Sequence, residues 1–367
     1  YSGGATCPSL LLEPSRTNVV EQSEYQSSVI YTNDSVSISD NVAISPEGLN
    51  NAAKIILDSG TNTSNGGHSY GFSSTAGTNY TISVFAKAGE MRYFTFTYGS
   101  SSAGGGHFDL QEGTLLGTIT NAQYSNVSSS IEDYGNGWYR LIVSLTDSSN
   151  NPARRLSMKP SPSASVPSNN NYQASGNGTS GAYVYGFQTE VAASYPTSYI
   201  PTYGVSQTRA QDNSSLLGAS NILGQTEGVI FLQVGDTYNN ADTAAEKWFL
   251  EVRKDAINSF GLSSGGGGQV GNPVIRFVTK INNVVRTEGE PPNFSNSKIA
   301  IKYTSTEFKL FQNGSLKITV PRNIGGYQDI QLMEGASNDL KMVTKQLLAF
   351  PTALSDLDLA ILTGATT

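Results

Sequence analysis

The stretch GAYVYGFQTEVAASYPTSYIPTYGVSQTRAQD, from Gly181 to Asp212, decides how the chain divides. Its first ten residues alternate between two side-chain faces, which is the period of a half-buried β-strand. After Glu190 the strand and helix periods are both lost, and Pro196 and Pro201 fix an extended path. We therefore predict a strand that closes one domain, followed by a stiff linker, residues 195–224, that leads to a second domain.

Length and composition support this division. A chain of 367 residues is long enough for two domains, since a typical domain has roughly 100 to 200 residues. The 38 glycines and 19 tyrosines, with abundant Ser, Thr and Asn, favour turns and aromatic strands over helices. We predict an all-β chain of two tandem β-sandwich (jelly-roll) domains, residues 1–194 and 225–367, with a short C-terminal helix.

Charge and cysteine content exclude several classes of partner. The net charge is −7 and only 14% of residues are charged, so the chain has neither a basic stripe for nucleic acid nor a cationic amphipathic face for a membrane. No apolar run approaches the ~18 residues that a membrane span needs. Cys7 is the single cysteine and His68 and His107 lie far apart, so neither a disulfide nor a zinc-ligand spacing is present.

Aromatic and charged side chains share one face of several predicted strands. The runs Tyr80–Lys87 and Trp138–Leu145 alternate like the opening stretch, with an apolar face and a second, mixed face. Sugars bind such surfaces because their C–H faces stack on rings while their hydroxyls need paired donors and acceptors. The candidate carbohydrate-binding residues are Phe85, Lys87, Tyr93, Trp138, Arg140, Gln188 and Glu190.

The same residues also fit a structural role. Lys87, Arg140 and Glu190 can form an ion-pair cluster beneath loops, with Trp138 packed on it, because a sheet face can be covered by its neighbours. The sequence leaves both interpretations open.

Residues 147–180 contain four prolines and a run of Asn and Ser, which predicts a long loop around a short strand at Arg154–Met158. A loop of this length in a compact domain is either functional or a contact surface for another subunit.

Two local signals stand out in the second domain. Asn313-Gly314 lies between alternating segments and accepts the positive φ angles of a type I′ turn, so it predicts a β-hairpin. Near the end, Leu354–Gly364 predicts a short helix with Ser355 as N-cap and Asp358 three residues later.

Enzyme motifs are weak. Gly261–Gly265 matches the G-x-S-x-G nucleophile pattern, but four glycines follow where that motif requires a helix, so chance is the better explanation. Both histidines lie in the first domain, which excludes a Ser-His-Asp triad in the second. A polysaccharide-degrading fragment, such as a lyase with a Tyr or His base, stays open because its residues need no fixed spacing.

Four ordered blocks of the first 210 residues match the pattern of one known family. They are Tyr1–Gly4 with Cys7–Asn18, Tyr80–Gly89, Gly135–Arg140, and Gly186–Glu190 leading into Pro196–Pro201 and Thr208–Ala210. This region resembles a carbohydrate-binding-module-like domain common in tailed-phage structural proteins. The resemblance implies a jelly-roll sandwich and a location on the virion surface.

The second domain is similar to the concanavalin-A-like (laminin-G-like) jelly roll, through its Glu227–Phe231 strand, its Asn-Gly hairpin and its Ala-Leu-Ser-Asp helix start. Such domains often bind calcium at a rim loop. The segment from Asp236 to Asp242 supplies the oxygen ligands that calcium prefers, so these two aspartates are the candidate metal ligands. A solvated polar turn is the alternative.

Three functional hypotheses follow. The first is a non-enzymatic phage virion appendage (a fibre, tail or capsid-decorating protein) that binds the surface glycan of a bacterial host. The second is a purely architectural virion protein that mediates subunit contacts with other virion proteins. The third is the enzyme fragment. Symmetric appendages are usually closed oligomers, so we expect a homo-oligomer, with a trimer as the common case for fibres.

Overall fold

The computed structural model describes residues 9–62, 67–99, 102–168, 174–239, 247–264, 275–289, 295–321, 324–334 and 340–364. These residues form antiparallel β-strands and one short C-terminal α-helix, packed as sandwich-like folds. The predicted all-β class, its two sandwiches and the terminal helix are therefore confirmed. Within this part of the chain, no helix has the length and apolar character required to cross a membrane.

The strands of the N-terminal part are numbered along the chain. They are β1 (Leu10–Leu12), β2 (Arg16–Asn18), β3 (Tyr31–Asp34), β4 (Val36–Ala43), β5 (Ala52–Leu57), β6 (Gly60–Asn62), β7 (Gly67–Ser74), β8 (Thr78–Ala88), β9 (Tyr93–Gly99), β10 (Ala103–Asp109), β11 (Thr114–Ile119), β12 (Tyr124–Gly135), β13 (Trp138–Asp147), β14 (Asn151–Ser161), β15 (Ala174–Gly176), β16 (Gly181–Val191) and β17 (Gln207–Arg209).

The C-terminal part continues this numbering. Its elements are β18 (Ser214–Leu216), β19 (Gly228–Asn239), β20 (Lys247–Asp255), β21 (Asn258–Ser264), β22 (Ile275–Ile281), β23 (Val284–Gly289), β24 (Lys298–Tyr303), β25 (Phe308–Gln312), β26 (Ser315–Val320), β27 (Asp329–Glu334), β28 (Leu340–Phe350) and helix α1 (Asp356–Thr363), with one 3₁₀ turn at Ala219–Asn221.

The chain forms two compact units, Arg16–Arg209 and the combination of Tyr1–Ser15 with Ala210–Thr367. The first strand belongs with the C-terminal unit because β1 pairs with β28, Leu11 lying opposite Val343. The boundary after Arg209 falls inside the segment that the sequence predicts as a linker. The predicted limits at residues 194 and 224 stay predictions.

The Arg16–Arg209 unit is a sandwich of two antiparallel sheets. One has the order β11-β10-β9-β14-β7-β3, and the other has β12-β13-β8-β16-β2-β17, with β5 and β4 joined to the first half of β16. Alternate residues of both sheets meet in one core, in which Phe96 and Met158 from the first sheet pack with Val84 and Leu141 from the second. The opposite side chains of β8 and β13 therefore lie on the outer face of the second sheet.

The other unit is also a two-sheet sandwich, with the orders β1-β28-β19-β24-β25-β26 and β18-β27-β20-β21-β22-β23. Its β19 strand alternates, because Ile230 and Leu232 enter the core between the sheets while Phe231 faces outward. Helix α1 covers that outer face through Leu359. Ser355 caps the helix by accepting a hydrogen bond from the Asp358 N–H, as the sequence predicts.

A buried histidine lies within the first sandwich. The imidazole of His68, on β7, is fully buried, with Nδ1 2.7 Å from the Asn33 side-chain amide oxygen and Nε2 3.0 Å from Gln26 Oε1. Burial lowers its pKa from the ordinary value of 6.5 to about 3. Both neighbours are neutral amides, so no charge compensates a proton on this ring.

This lowered pKa predicts acid sensitivity. Below pH 6.5 the unfolded chain binds a proton at His68 that the folded chain does not accept until about pH 3, so stability is lost as pH falls. We expect this residue to cost about 2.5 kcal/mol of unfolding free energy between pH 7 and pH 4.5, from about 1.4 kcal/mol per pKa unit. Urea unfolding of the wild type and His68→Gln across this range measures it. Parallel pH profiles for the two proteins would contradict the prediction.

Candidate functional site

Six of the seven predicted carbohydrate-binding residues lie on the outer face of the second sheet of the Arg16–Arg209 unit, and five of these six are buried. Arg140 on β13 is directly opposite Phe85 on β8, and its guanidinium carbon lies 5.6 Å from the centre of the phenyl ring. The alternation predicted from sequence therefore places them correctly on one face. All five are less than 5% exposed, however: Phe85, Trp138, Arg140, Gln188 and Glu190.

The cover over this face comes from residues 195–204, which we call the covering segment. The Glu190 carboxylate accepts hydrogen bonds from the N–H of Thr197 at 3.1 Å and from its hydroxyl at 2.6 Å. Arg140 Nη2 donates to the Thr197 carbonyl at 2.7 Å. Gln188 Oε1 accepts from the Ile200 N–H at 2.7 Å. The polar groups of this face thus bind the backbone of the covering segment.

The chain turns back over the sheet after the end of β16 at Val191, where Ala192 has a φ of 55°, and β16 itself contains a bulge. Gly186 has a φ of 64° where the register of β16 on β8 shifts, a conformation that favours glycine. The covering segment is then held at its end, because Thr202 Oγ1 donates to the Val20 carbonyl at 2.6 Å. Trp138 is covered from another side, since its Nε1 donates to the Ile44 carbonyl. In this conformation these rings and charges do not reach a ligand, and their role in carbohydrate binding stays a prediction.

Lys87 and Tyr93 are half-buried. Lys87 Nζ donates to the Asn136 carbonyl at 2.7 Å, in the turn between β12 and β13. Tyr93, at the start of β9, lines a cavity of about 380 Å³. Loops at one end of the sandwich complete this cavity, whose walls are Glu90, Met91, Arg92, Tyr93, Pro162, Ser175, Gly176, Asn177 and Ser180.

Two oppositely charged groups in this cavity wall are held in fixed positions. Arg92 donates through Nε and Nη2 to Asp109, with its shortest contact at 2.6 Å, and its guanidinium lies 5.5 Å from the Tyr93 ring centre. This bidentate bond lowers the pKa of Asp109. Glu90 accepts from Lys54 Nζ and from the Gly181 N–H, and the lysine lowers the pKa of Glu90. An ionised carboxylate and a guanidinium are therefore ready-made hydrogen-bonding partners at the cavity.

Neutral polar groups of the cavity wall are also fixed. Asn177 accepts from the N–H groups of Thr179 and Ser180 through Oδ1, and its Nδ2 donates to the Ser180 hydroxyl at 2.8 Å. Sequence reasoning missed these residues, apart from Tyr93, because they lie in irregular segments with no period. The signal that could have found them is the conjunction of charged and small polar residues at Glu90–Arg92 and Asn177–Ser180.

The predicted calcium ligands lie in the other unit. Asp236 is exposed and accepts a hydrogen bond from Asn296 Nδ2 at 2.8 Å. Asp242 lies outside the described residues. No group of three or more His, Cys, Asp or Glu side chains that could hold a metal ion occurs in the described ranges. Calcium binding stays a prediction. Ser263 of the G-x-S-x-G pattern is buried on β21, on the face opposite the core residues Phe260 and Leu262.

No family model matches the chain, and no curated protein matches it. Solved structures with a similar arrangement include a leech intramolecular trans-sialidase, at 16% identity and a TM-score of 0.29, covering 43% of this chain and 28% of that one. The carbohydrate-binding module CBM40 of a Ruminococcus gnavus sialidase is 16% identical with a TM-score of 0.28, and the match covers 40% of this chain and 87% of that one. A homodimeric agglutinin from chicken liver is 11% identical with a TM-score of 0.26, and the match covers 38% of this chain and 99% of that one. Similarities at these levels assign no function to this chain.

The hydrogen bonds between Glu190 and the covering segment should contribute to the stability of the fold. Glu190→Ala removes the acceptor for both Thr197 donors. It also removes the carboxylate whose Oε1 lies 3.9 Å from Nε of the buried Arg16. We expect a loss of about 3 kcal/mol in unfolding free energy. Urea unfolding measures it. The control is Glu112→Ala, which removes an exposed carboxylate from Arg92. Equal losses in the two variants would show that these hydrogen bonds do not hold the covering segment.

Proposed function

We propose that this chain is a non-enzymatic, glycan-binding appendage of a phage virion, a fibre, tail or capsid-decorating protein located on the virion surface. The single observation that carries the glycan-binding part is the cavity lined by Tyr93. There an aromatic ring, a fixed carboxylate and a fixed guanidinium line one concave site of about 380 Å³.

The chemistry of this cavity suits a sugar. Ligand sites of small molecules are typically concave and of roughly 300 to 1,000 Å³, with a few placed polar groups, so the cavity matches one or two sugar rings in size. Sugar hydroxyls both donate and accept, and the cavity offers acceptors from Glu90 and donors from Arg92 and Asn177. These groups are already oriented by their own hydrogen bonds, which reduces the entropy lost on binding.

The phage and virion part of the proposal rests on sequence. Four ordered blocks over the first 210 residues resemble the carbohydrate-binding-module-like domain of tailed-phage structural proteins, and the C-terminal half is similar to a concanavalin-A-like jelly roll. On this basis the partners are a surface glycan of a bacterial host, other virion proteins and further copies of the chain in a homo-oligomer. Calcium at Asp236 and Asp242 belongs to the same proposal.

An architectural virion protein is the second candidate, and the covering segment favours it. The polar side chains that sequence singles out for sugar binding, Arg140, Gln188 and Glu190, are occupied by backbone groups of residues 197–200. Side chains that hydrogen-bond to the protein's own backbone stabilise the fold, and this role is consistent with an architectural protein.

Binding to a panel of bacterial surface polysaccharides separates the two candidates. We expect at least one polysaccharide to bind, and Tyr93→Ala to weaken that binding about tenfold, because an aromatic contact in a binding site commonly contributes 1 kcal/mol or more. Isothermal titration calorimetry measures it.

Tyr134→Ala is the matched control, since Tyr134 is an exposed tyrosine (47%) outside the cavity wall. This variant should bind as the wild type does. Equal weakening by both variants would place the sugar elsewhere, and no binding to any polysaccharide would favour the architectural protein.

A further inference from the structure

Three tyrosine hydroxyls converge on one carboxylate oxygen in the Arg16–Arg209 unit. Tyr185 and Tyr203 each donate to Glu24 Oε1 at 3.1 Å, and Tyr199 donates to the same atom at 3.4 Å. We call these four residues the tyrosine–glutamate cluster. It shares no residue with the Tyr93 cavity, and the carbohydrate proposal does not use it.

The cluster is built by the same elements that cover the sheet. Tyr199 and Tyr203 belong to the covering segment, and Tyr185 precedes the bulge at Gly186. Glu24 comes from the loop after β2, where Ser23 Oγ lies 2.6 Å from the Tyr199 hydroxyl. The ring positions are therefore fixed by the backbone.

Two carboxylates, Glu24 and Glu47, lie at this cluster, and no basic side chain in the described part of the chain pairs with them. Glu47 accepts from Asn51 at 2.6 Å. Burial, reinforced by these two carboxylates, raises the pKa of Tyr185, so its hydroxyl remains a donor. Glu24 is thus held as an acceptor whose Oε2 bonds to none of the described side chains.

One ring of the cluster is open to solvent. The Tyr203 side chain is 67% exposed, while its hydroxyl is anchored on Glu24. An exposed, oriented ring beside an unneutralised carboxylate is the arrangement that binds organic cations, because the ring face and the carboxylate both attract positive charge. A metal ion fits less well, since no group of three carboxylate or imidazole ligands occurs among the described residues.

We infer that the tyrosine–glutamate cluster binds an alkylammonium group, which pairs with Glu24 and lies against the Tyr203 ring. An amino sugar and a choline substituent are two sources of this chemistry. The inference is independent of the Tyr93 cavity and holds whether or not that cavity binds sugar.

Calorimetric titrations with glucosamine, N-acetylglucosamine, choline chloride and calcium chloride test it, at a pH where the glucosamine amine is protonated. We expect glucosamine or choline to bind, and N-acetylglucosamine to bind at least tenfold more weakly, because acetylation removes the charge. Whichever ammonium compound binds more tightly identifies the source.

Two variants place the site. Glu24→Gln keeps the side-chain shape and should weaken ammonium binding about tenfold, and Tyr203→Leu should weaken it about threefold, the range for an exposed cation–π contact. Glu112→Gln, which alters an exposed carboxylate elsewhere, should bind as the wild type does. Thermal unfolding confirms that each variant is folded. No binding of either ammonium compound, equal measurable binding of glucosamine and N-acetylglucosamine, unchanged binding in Glu24→Gln, or calcium binding more tightly than either ammonium compound would overturn the inference.

Discussion

The hydrogen bonds from Thr197 to the buried carboxylate of Glu190 are the constraint on which the outer face of the first sandwich depends. A carboxylate that is buried away from water must accept hydrogen bonds from protein donors, because an unpaired buried charge destabilises the folded state. Here the donors are the N–H and the hydroxyl of Thr197, only seven residues further along the chain. Because Glu190 requires these donors, the chain must turn back over the sheet, and the rings of Phe85 and Trp138 are buried as a consequence.

This dependence explains why the site prediction could go only part of the way. Period-two alternation correctly placed Phe85 and Arg140 on one face, since it depends only on neighbouring residues. In β16 the bulge at Gly186 breaks the predicted alternation, and Val184 and Phe187 both face the core. Whether that face meets solvent or another part of the chain depends on the direction of the chain after Val191, and no local pattern specifies it. Aromatic, amide and charged side chains are suited to sugar binding and to binding a backbone segment for the same reason, so residue type does not separate the two roles.

Local signals with a strong backbone preference were the most informative. Asn313 and Gly314 both have positive φ, 48° and 81°, as a two-residue hairpin turn requires. The prediction for β14 was the least accurate in length. The sequence suggested a short strand inside a loop, but β14 spans Asn151–Ser161 in the middle of a sheet. Its prolines argued against this. Pro160 is tolerated because its pairing is with β9 alone, the ladder with β7 ending at Met158.

A charged residue on the inward face of β14 also made this strand difficult to predict from sequence. Arg154 is buried against Asp147, with Nε and Nη2 each 2.9 Å from a carboxylate oxygen, so an inward-facing position carries a charge where the alternation rule expects an apolar side chain. The tyrosine–glutamate cluster was hidden for a related reason, since Glu24 is 161 residues or more from each tyrosine that it binds. In both places a long-range ionic or hydrogen-bonded contact decides the role of a residue. The covering segment takes part in both contacts. Thr197, near its start, donates hydrogen bonds to Glu190, and Tyr199 and Tyr203, towards its end, donate to Glu24. The same turn of the chain therefore covers one sheet face and forms the tyrosine–glutamate cluster.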